Sequence, residues 1–185
     1  MFIQTEATPN PATLKFIPGK EVLRSGTRDF RNRAGAESAS PLAARIFEVD
    51  GVEGVFLGSD FISVTKGVGE WQHLKPALLG AIMEHYMSGA PAVTDAPDAD
   101  ADDGQYASED SDIVQTIKEL LDTRIRPAVA QDGGDIVFHG YDGGVVYLHM
   151  RGACSGCPSS TATLRHGIEN LLKHFIPEVQ EVRAV

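Results

Sequence analysis

The sequence predicts an α+β protein made of two small domains, each a short, mostly antiparallel sheet packed against helices. The length of 185 residues suits one or two domains. Short strand-like runs and amphipathic helix-like runs occur in both halves. Between the halves, residues 89–111 contain almost no large apolar side chain. The predicted division is therefore a first domain at 1–88, an acidic flexible linker at 89–111 and a second domain at 112–185.

The first domain contains four strand-like segments separated by turn-forming residues. A Thr-Pro-Asn-Pro run joins the first two segments, and a Gly-Ser-Asp turn joins the last two. Proline, glycine, asparagine and aspartate favour turns because of their restricted or permissive backbone angles. The predicted strands cover residues 1–6, 13–17, 51–57 and 61–66.

Two helices are predicted in the same domain. The first covers residues 41–47, with Ser40 as its N-cap and Pro41 at its first helical position. The second begins at Trp71 and extends for about 17 residues, because apolar side chains recur there at helical spacing. Its apolar stripe consists of Trp71, Leu74, Leu78, Ile82 and Tyr86.

The second domain is predicted to contain a helix, a hairpin, another helix and a final strand. Its first helix, with Ser111 as N-cap, is kinked or restarted at Pro127. The hairpin joins strands at 135–139 and 145–151, and the final strand covers 179–185. Alternating apolar residues in the second hairpin strand are Val146, Leu148 and Met150, and the later helix carries Leu164, Ile168, Leu171, Leu172 and Phe175.

The acidity of the chain is concentrated in the predicted linker. The net charge is −10, and eight acidic residues lie between Gly89 and Asp112 without any lysine or arginine. Charge repulsion and low hydrophobicity favour an extended, flexible tether. An acidic chain argues against nucleic-acid binding, which depends on clustered lysine and arginine. No run approaches the roughly 18 apolar residues of a membrane span, so no membrane partner is expected.

The most informative residues are Cys154 and Cys157, the only cysteines in the chain. They lie between a predicted strand and a predicted helix whose first position suits Pro158, which makes Cys157 the expected N-cap. The unpaired N–H groups and partial positive charge of a helix N-terminus favour thiolate over thiol. Because the thiolate is both the metal ligand and the nucleophile, the pair is a candidate metal or redox site.

Three interpretations of the pair are considered. An inert pair is disfavoured because two thiols at a helix start lie in a loop expected to be exposed. A thioredoxin-like dithiol fits the C-x-x-C spacing, but redox domains of that class are longer and built on βαβ units. A metal site shared by two chains is favoured, because two thiolates are half of the about four ligands that zinc and iron–sulfur sites need. Four cysteines do not distinguish zinc from an iron–sulfur cluster.

Other polar residues are weaker candidates. The six histidines show no H-x-x-x-H or HExxH pattern and are interpreted as surface or core residues. The Asp132-Gly133-Gly134 segment is interpreted as a turn. Arg151, beside the cysteines, would offset the charge of a bound cluster, although a solvent-facing arginine is the commoner arrangement.

Several motifs of the chain resemble a known family. Residues 112–182 resemble the NifU-like C-terminal (Nfu) domain, because three elements occur in the family's order. The first half is similar to the Nfu N-terminal domain from Thr5 to Gly19, from Phe61 to Lys66 and in the Trp-Gln-His-Leu-Lys-Pro run that begins at Trp71. The three elements of the second half are Arg126-Pro127, Asp132-Gly133-Gly134-Asp135 and Cys154-Ser155-Gly156-Cys157-Pro158-Ser159-Ser160.

The resemblance implies a non-enzymatic iron–sulfur cluster carrier. In the family, two cysteines from each of two subunits hold a bridging [4Fe–4S] cluster, which is passed to apo-proteins. The ligands carried over are Cys154 and Cys157, and a [2Fe–2S] cluster is the smaller alternative. The larger NifU proteins add a scaffold domain and a ferredoxin domain that this chain lacks, so delivery is expected in preference to assembly. The rival function is a thiol–disulfide oxidoreductase.

The resemblance also implies partners and a compartment. The expected partners are a second copy of the chain, apo iron–sulfur client proteins and upstream assembly proteins. The first domain has no cysteine, so docking of clients is its expected role, with stabilisation of the chain as the alternative. Because no signal or transit sequence is recognisable at the start, a bacterial cytoplasm is favoured, with a mature mitochondrial form as the alternative.

Overall fold

The computed structural model describes residues 1–94, 111–153 and 158–184. The chain divides into two compact units, Met1–Asp98 and Ala99–Val185. Each unit packs a sheet against helices, which confirms the predicted α+β class. Most of the predicted linker, residues 95–110, lies outside the described residues, so its flexibility stays a prediction.

Within residues 1–94, five strands form one antiparallel sheet in the order β1-β2-β5-β4-β3. The segments predicted near the start, at 13–17, at 51–57 and at 61–66 are strands. The short β3 was not predicted, because its three residues include two charged side chains and give no alternation. The bounds are β1 Gln4–Ala7, β2 Thr13–Ile17, β3 Arg28–Phe30, β4 Val52–Leu57 and β5 Ile62–Lys66.

Three helices of this first unit, within residues 1–94, are α1 Arg33–Ala39, α2 Pro41–Phe47 and α3 Trp71–Ser88. The predicted cap of α2 is confirmed, since the Ser40 hydroxyl accepts a hydrogen bond from the Ala43 N–H at 3.0 Å. Helix α1 was not predicted, because it buries a single alanine and carries no apolar stripe. The core includes the side chains of Phe16, Leu42, Ile46, Leu57, Ile62, Val64, Leu78 and Ile82.

Residues after α3 fold back onto the first unit. The Thr94 N–H donates to the Ala39 carbonyl at 2.9 Å, and the Ser40 hydroxyl donates to the Ala92 carbonyl. Ala92 and Val93 also pack against the apolar core. The first part of the segment predicted as linker is therefore attached to the junction of α1 and α2.

The second unit contains a broken helix, a hairpin, a long helix and a short last strand. Among its described residues, β6 pairs antiparallel with β7, and β7 pairs parallel with β8. Val146, Leu148 and Met150 of β7 are buried, as their alternation predicted. The bounds are α4 Ser111–Leu120, a π-helical turn Leu121–Ile125, α5 Arg126–Gln131, β6 Gly134–Asp142, β7 Val145–Gly152, α6 Pro158–Phe175 and β8 Glu181–Ala184.

The apolar core of the second unit lies between one face of its sheet and the helices. Its members include Ile117, Leu121, Val129, Ile136, Leu148, Ile168, Leu172 and Val182. In the part of the chain that the structure describes, no helix combines the length and apolar composition that a membrane crossing requires.

Candidate functional site

The cysteine pair falls at a strand-to-helix connection. Strand β7 ends at Gly152, and α6 begins at Pro158, as the sequence predicted. Cys154 and Cys157 themselves lie outside the described residues, so their assignment as ligands and the capping role of Cys157 stay predictions. The structure shows the two ends of the connection and the residues that hold its first end in place.

The chain leaves β7 through a glycine in the left-handed region. Gly152 has φ of 64°, a backbone angle that residues with a Cβ adopt only at a steric energy cost. The next residue, Ala153, is 2% exposed. Its N–H donates to the Gly133 carbonyl at 3.2 Å. The start of the cysteine connection is thus fixed to a second glycine-rich segment.

That second segment is the Asp-Gly-Gly run between α5 and β6. The predicted turn is confirmed, since Gly133 has φ of 79° and its N–H donates to the Ala130 carbonyl at 3.0 Å. Gly134 lies opposite Gly152 in the hairpin register. No sequence pattern predicted that this turn lies beside the cysteines. Glycines at the start of the first hairpin strand and at the end of the second are nevertheless a signal that two backbone segments approach closely.

Asp135, directly after this turn, forms a forked ion pair with Arg126. The Arg126 Nε donates to Asp135 Oδ1 at 2.8 Å, and Nη2 donates to Oδ2 at 2.9 Å. The Ile136 N–H also donates to Asp135 Oδ1 at 2.8 Å. The pKa of Arg126 is raised, chiefly by its hydrogen bond with Asp135. Both residues belong to motifs that carry the family resemblance, but no sequence pattern predicted that they pair.

The π-helical turn before α5 determines where Arg126 lies. Pro127 has no N–H and cannot donate to the preceding turn, while the Arg126 N–H donates to the Leu121 carbonyl five residues back. The predicted break at Pro127 is confirmed, and it takes the form of a widened turn followed by α5. Turns of this kind are frequent at functional sites.

Arg151 is buried, with 5% of its surface exposed, so the expectation of a solvent-facing side chain was wrong. It lies in β7 opposite Asp135 of β6. Directly opposed residues of an antiparallel pair project on the same face of the sheet. Arg151 and Asp135 therefore project from the same face of the sheet, at the base of the cysteine connection.

Helix α6 follows the connection and is tied to the sheet at its far end. The Glu169 carboxylate accepts hydrogen bonds from Lys173 Nζ at 2.7 Å and from the Val182 N–H at 3.2 Å. These hydrogen bonds lower the pKa of Glu169, with the Lys173 bond as the largest cause. The contact joins α6 to β8 and thereby orients the helix whose N-terminus follows Cys157.

Other side chains do not gather into a metal site in the described ranges. Among residues 1–94, 111–153 and 158–184, no group of three or more histidine, cysteine, aspartate and glutamate side chains is placed to hold a metal ion. His85, in the first unit, is 1% exposed, and its Nδ1 has no hydrogen-bond partner among the residues that the structure describes. It is a core histidine, in agreement with the interpretation of the histidines as surface or core residues.

Two family models match the chain, one in each unit. The model described as scaffold protein Nfu/NifU N terminal matches residues 3–89. The model described as NifU-like domain matches residues 117–183. Both recognised resemblances are therefore confirmed.

Curated relatives match along the whole chain. A Drosophila sechellia protein named "NFU1 iron-sulfur cluster scaffold homolog, mitochondrial" is 53% identical over 188 residues, covering 100% of this chain and 65% of the relative. "NifU-like protein 4, mitochondrial" of Arabidopsis thaliana is 52% identical over 185 residues, covering 98% of this chain and 65% of the relative. The Homo sapiens scaffold homolog, with the same name as the fly protein, is 50% identical over 188 residues, covering 100% of this chain and 72% of the relative.

The fly and plant relatives are longer than this chain, which spans 65% of their length. All three relatives are named as mitochondrial proteins. These names give no support to the expectation of a bacterial cytoplasm. From the identity over its whole length and the match of both domain models, the chain belongs to the Nfu/NifU-like protein family.

Proposed function

We propose that this chain carries an iron–sulfur cluster and delivers it to apo-proteins without itself catalysing a reaction. The cluster is a [4Fe–4S] cluster, with [2Fe–2S] as the alternative, held between two copies by Cys154 and Cys157 of each. The observation that carries the proposal is the position of this pair between β7 and α6 in a chain about half identical to proteins named iron–sulfur cluster scaffolds.

The chemistry of the donor set supports a shared cluster. Each chain supplies two thiols, and iron–sulfur clusters take about four thiolate ligands, so two chains complete one site. Helix α6 begins directly after Cys157, and the partial positive charge of a helix N-terminus stabilises thiolates. Each chain holds the cluster through only two thiolates, so client thiolates displace these ligands stepwise more readily than they would in a protein that chelates the cluster with four cysteines.

The first unit is proposed to dock clients or assembly proteins. It contains no cysteine and so has no thiolate ligand to offer. Tethering it to the cluster-binding unit raises the local concentration of loaded cluster near a docked client. Because the three relatives are named as mitochondrial proteins, a mitochondrial compartment is proposed for this chain.

Anaerobic reconstitution of the full chain with iron and sulfide tests this function. The expected product is coloured, contains about four irons per two chains and runs as a dimer in size-exclusion chromatography. Transfer is then followed as recovery of activity in an apo client enzyme. A colourless product that reduces disulfides would overturn the proposal in favour of a thiol–disulfide oxidoreductase, and a colourless zinc-bridged dimer would make the pair structural.

A further inference from the structure

We propose that the Arg126–Asp135 ion pair positions the cysteine connection by fixing the point at which the chain leaves β7. The inference deepens the proposed function and rests on it, because positioning matters to a cluster only if Cys154 and Cys157 hold one. Its basis is a continuous set of contacts from α5 to Ala153.

The first contact in this set is the ion pair itself. Asp135 is 3% exposed, and both of its carboxylate oxygens accept hydrogen bonds from Arg126, at 2.8 and 2.9 Å. Two parallel charge-assisted hydrogen bonds restrict the orientation of both groups. The start of β6 is therefore held at a defined position relative to α5.

The second contact passes from β6 to the cysteine connection. Gly133 lies two residues before Asp135, and its carbonyl accepts the Ala153 N–H at 3.2 Å. Asp135 and Gly134 also lie opposite Arg151 and Gly152 in the hairpin. A shift of the Asp135 backbone would displace the Gly133 carbonyl and remove the partner of Ala153, which directly precedes Cys154.

Stability of the unit alone does not explain this pair. Buried ion pairs contribute little net stability compared with apolar residues of similar volume, because desolvation offsets their attraction. The contacts run from Arg126, directly after the π-helical turn, to Ala153, directly before the first cysteine. Their position indicates that they orient the start of the cysteine connection.

Arg126 also provides a matched control. Its Nη1 donates to Asp122 Oδ1 at 3.0 Å, and the Asp122 side chain is 61% exposed. Asp122 lies in the π-helical turn and has no part in the hairpin register. Asp122→Asn and Asp135→Asn each remove one negatively charged partner of Arg126. Only Asp135→Asn alters the contact of Arg126 with the sheet.

The test compares these variants in the full-length chain. Amide hydrogen exchange, measured by NMR on the cluster-free protein, reports the Gly133–Ala153 hydrogen bond directly. Asp135→Asn weakens the charged hydrogen bonds with Arg126 and thereby loosens the Gly133 carbonyl that Ala153 binds. We therefore expect exchange at Ala153 to become about tenfold faster relative to the amides around Leu148 in β7. The reconstituted cluster should decay about tenfold faster in a chelator challenge, as for other changes outside the ligand shell, and Asp122→Asn should change neither.

A double variant tests whether Arg126 and Asp135 act as one unit. If the pair acts as one unit, Asp135→Asn combined with Arg126→Gln is no worse than Asp135→Asn alone in either measurement. If Asp135→Asn does not fold, Arg126→Lys keeps the charge but loses the fork and provides the same comparison. The proposal is overturned if exchange at Ala153 and at Leu148 rises equally. If the wild-type chain takes up no cluster, the proposed function fails, while hydrogen exchange still decides whether the pair fixes Ala153.

Discussion

At the scale of single residues, the proposed function depends on Cys154 and Cys157. Cys154→Ser or Cys157→Ser should abolish cluster uptake, because each removes one of two thiolates per chain. The midpoint of thermal unfolding of the apo-protein should change little, since the core of the second unit is formed by other side chains. Iron content after reconstitution and circular dichroism melting give the two measurements. Unfolding of the second unit by either substitution would instead mean that the pair is structural.

His85 makes the stability of the first unit depend on pH. Burial lowers its pKa, the positive charge of Arg45 lowers it further, and a backbone hydrogen bond with Ala90 raises it less. Arg45 is itself paired with Glu84 at 3.2 Å. In the unfolded chain the pKa returns to its ordinary value near 6.5, so the unfolded state binds more protons as the pH falls below that value.

The expected result is a loss of stability of the first unit between pH 7 and pH 5, roughly the range over which histidine titrates. Glutamine does not bind a proton in this range, so His85→Gln should flatten this part of the profile of stability against pH. His73→Gln, on an exposed position of the same helix, serves as the control and should leave the profile unchanged. Urea denaturation monitored by fluorescence of Trp71 measures it, and identical profiles for wild type and His85→Gln would refute the assignment.

Two glycines of the first unit should respond oppositely to alanine. Gly51 has φ of 99°, and a Cβ there would lie 2.6 Å from the Val68 carbonyl oxygen. Gly51→Ala should therefore cost about 1–3 kcal/mol or more. Gly80, inside α3, would place its Cβ in open space, so Gly80→Ala should add about 0.5–1 kcal/mol. Equal effects in urea denaturation would contradict the backbone argument.

At the scale of elements, Ser40 lies at the junction of α1 and α2 and connects it to the segment after α3. Its hydroxyl caps α2 through the Ala43 N–H and also donates to the Ala92 carbonyl. Ser40→Ala should lower the free energy of unfolding by about 1–2 kcal/mol. It should also increase protease cleavage near residues 90–94. Ser38→Ala, exposed in α1, is the control, and equal cleavage of both variants would show that Ser40 does not hold the segment.

At the scale of the whole molecule, the two units are expected to divide binding and docking between them. Deleting residues 1–94 removes the first unit together with the segment that packs on it. The remaining chain should still take up a cluster, but should transfer it to an apo client about tenfold more slowly or worse, because the tethered local concentration is lost. Transfer kinetics at equal cluster loading provide the measurement. Unimpaired transfer to every client tested would assign the first unit to stabilisation alone.

Several features of the fold could be predicted because they depend on local patterns. Strand β2 and helix α2 have the predicted bounds, since turn residues and a Ser-Pro cap mark their ends. Helix α6 begins at Pro158, as its fixed φ favours. Strand β3 and helix α1 were not predicted, because neither carries the apolar periodicity that is typical of a strand or a helix.

The hairpin register could not be derived in this way. Counted back from the turn, the pairing of Asp142 with Val145 would place Asp135 opposite Gly152. An irregularity between Phe138 and Gly140 shifts the register by one residue, so that Asp135 faces Arg151 instead. No residue pattern predicted this irregularity, which determines that Asp135 and Arg151 lie opposite each other at the base of the cysteine connection.

The sequence by itself determined the α+β class, most helices and strands and the C-x-x-C pair, because periodicity, caps and spacing are properties of neighbouring residues. Only the tertiary structure decided that Arg126 reaches Asp135, that Ala153 is bound to Gly133 and that Arg151 is buried. The two hydrogen-bonded contacts join residues that are 9 and 20 positions apart in the chain. They depend on a widened helical turn and a strand irregularity, whose geometry follows from packing of the whole unit and not from any local run of residues.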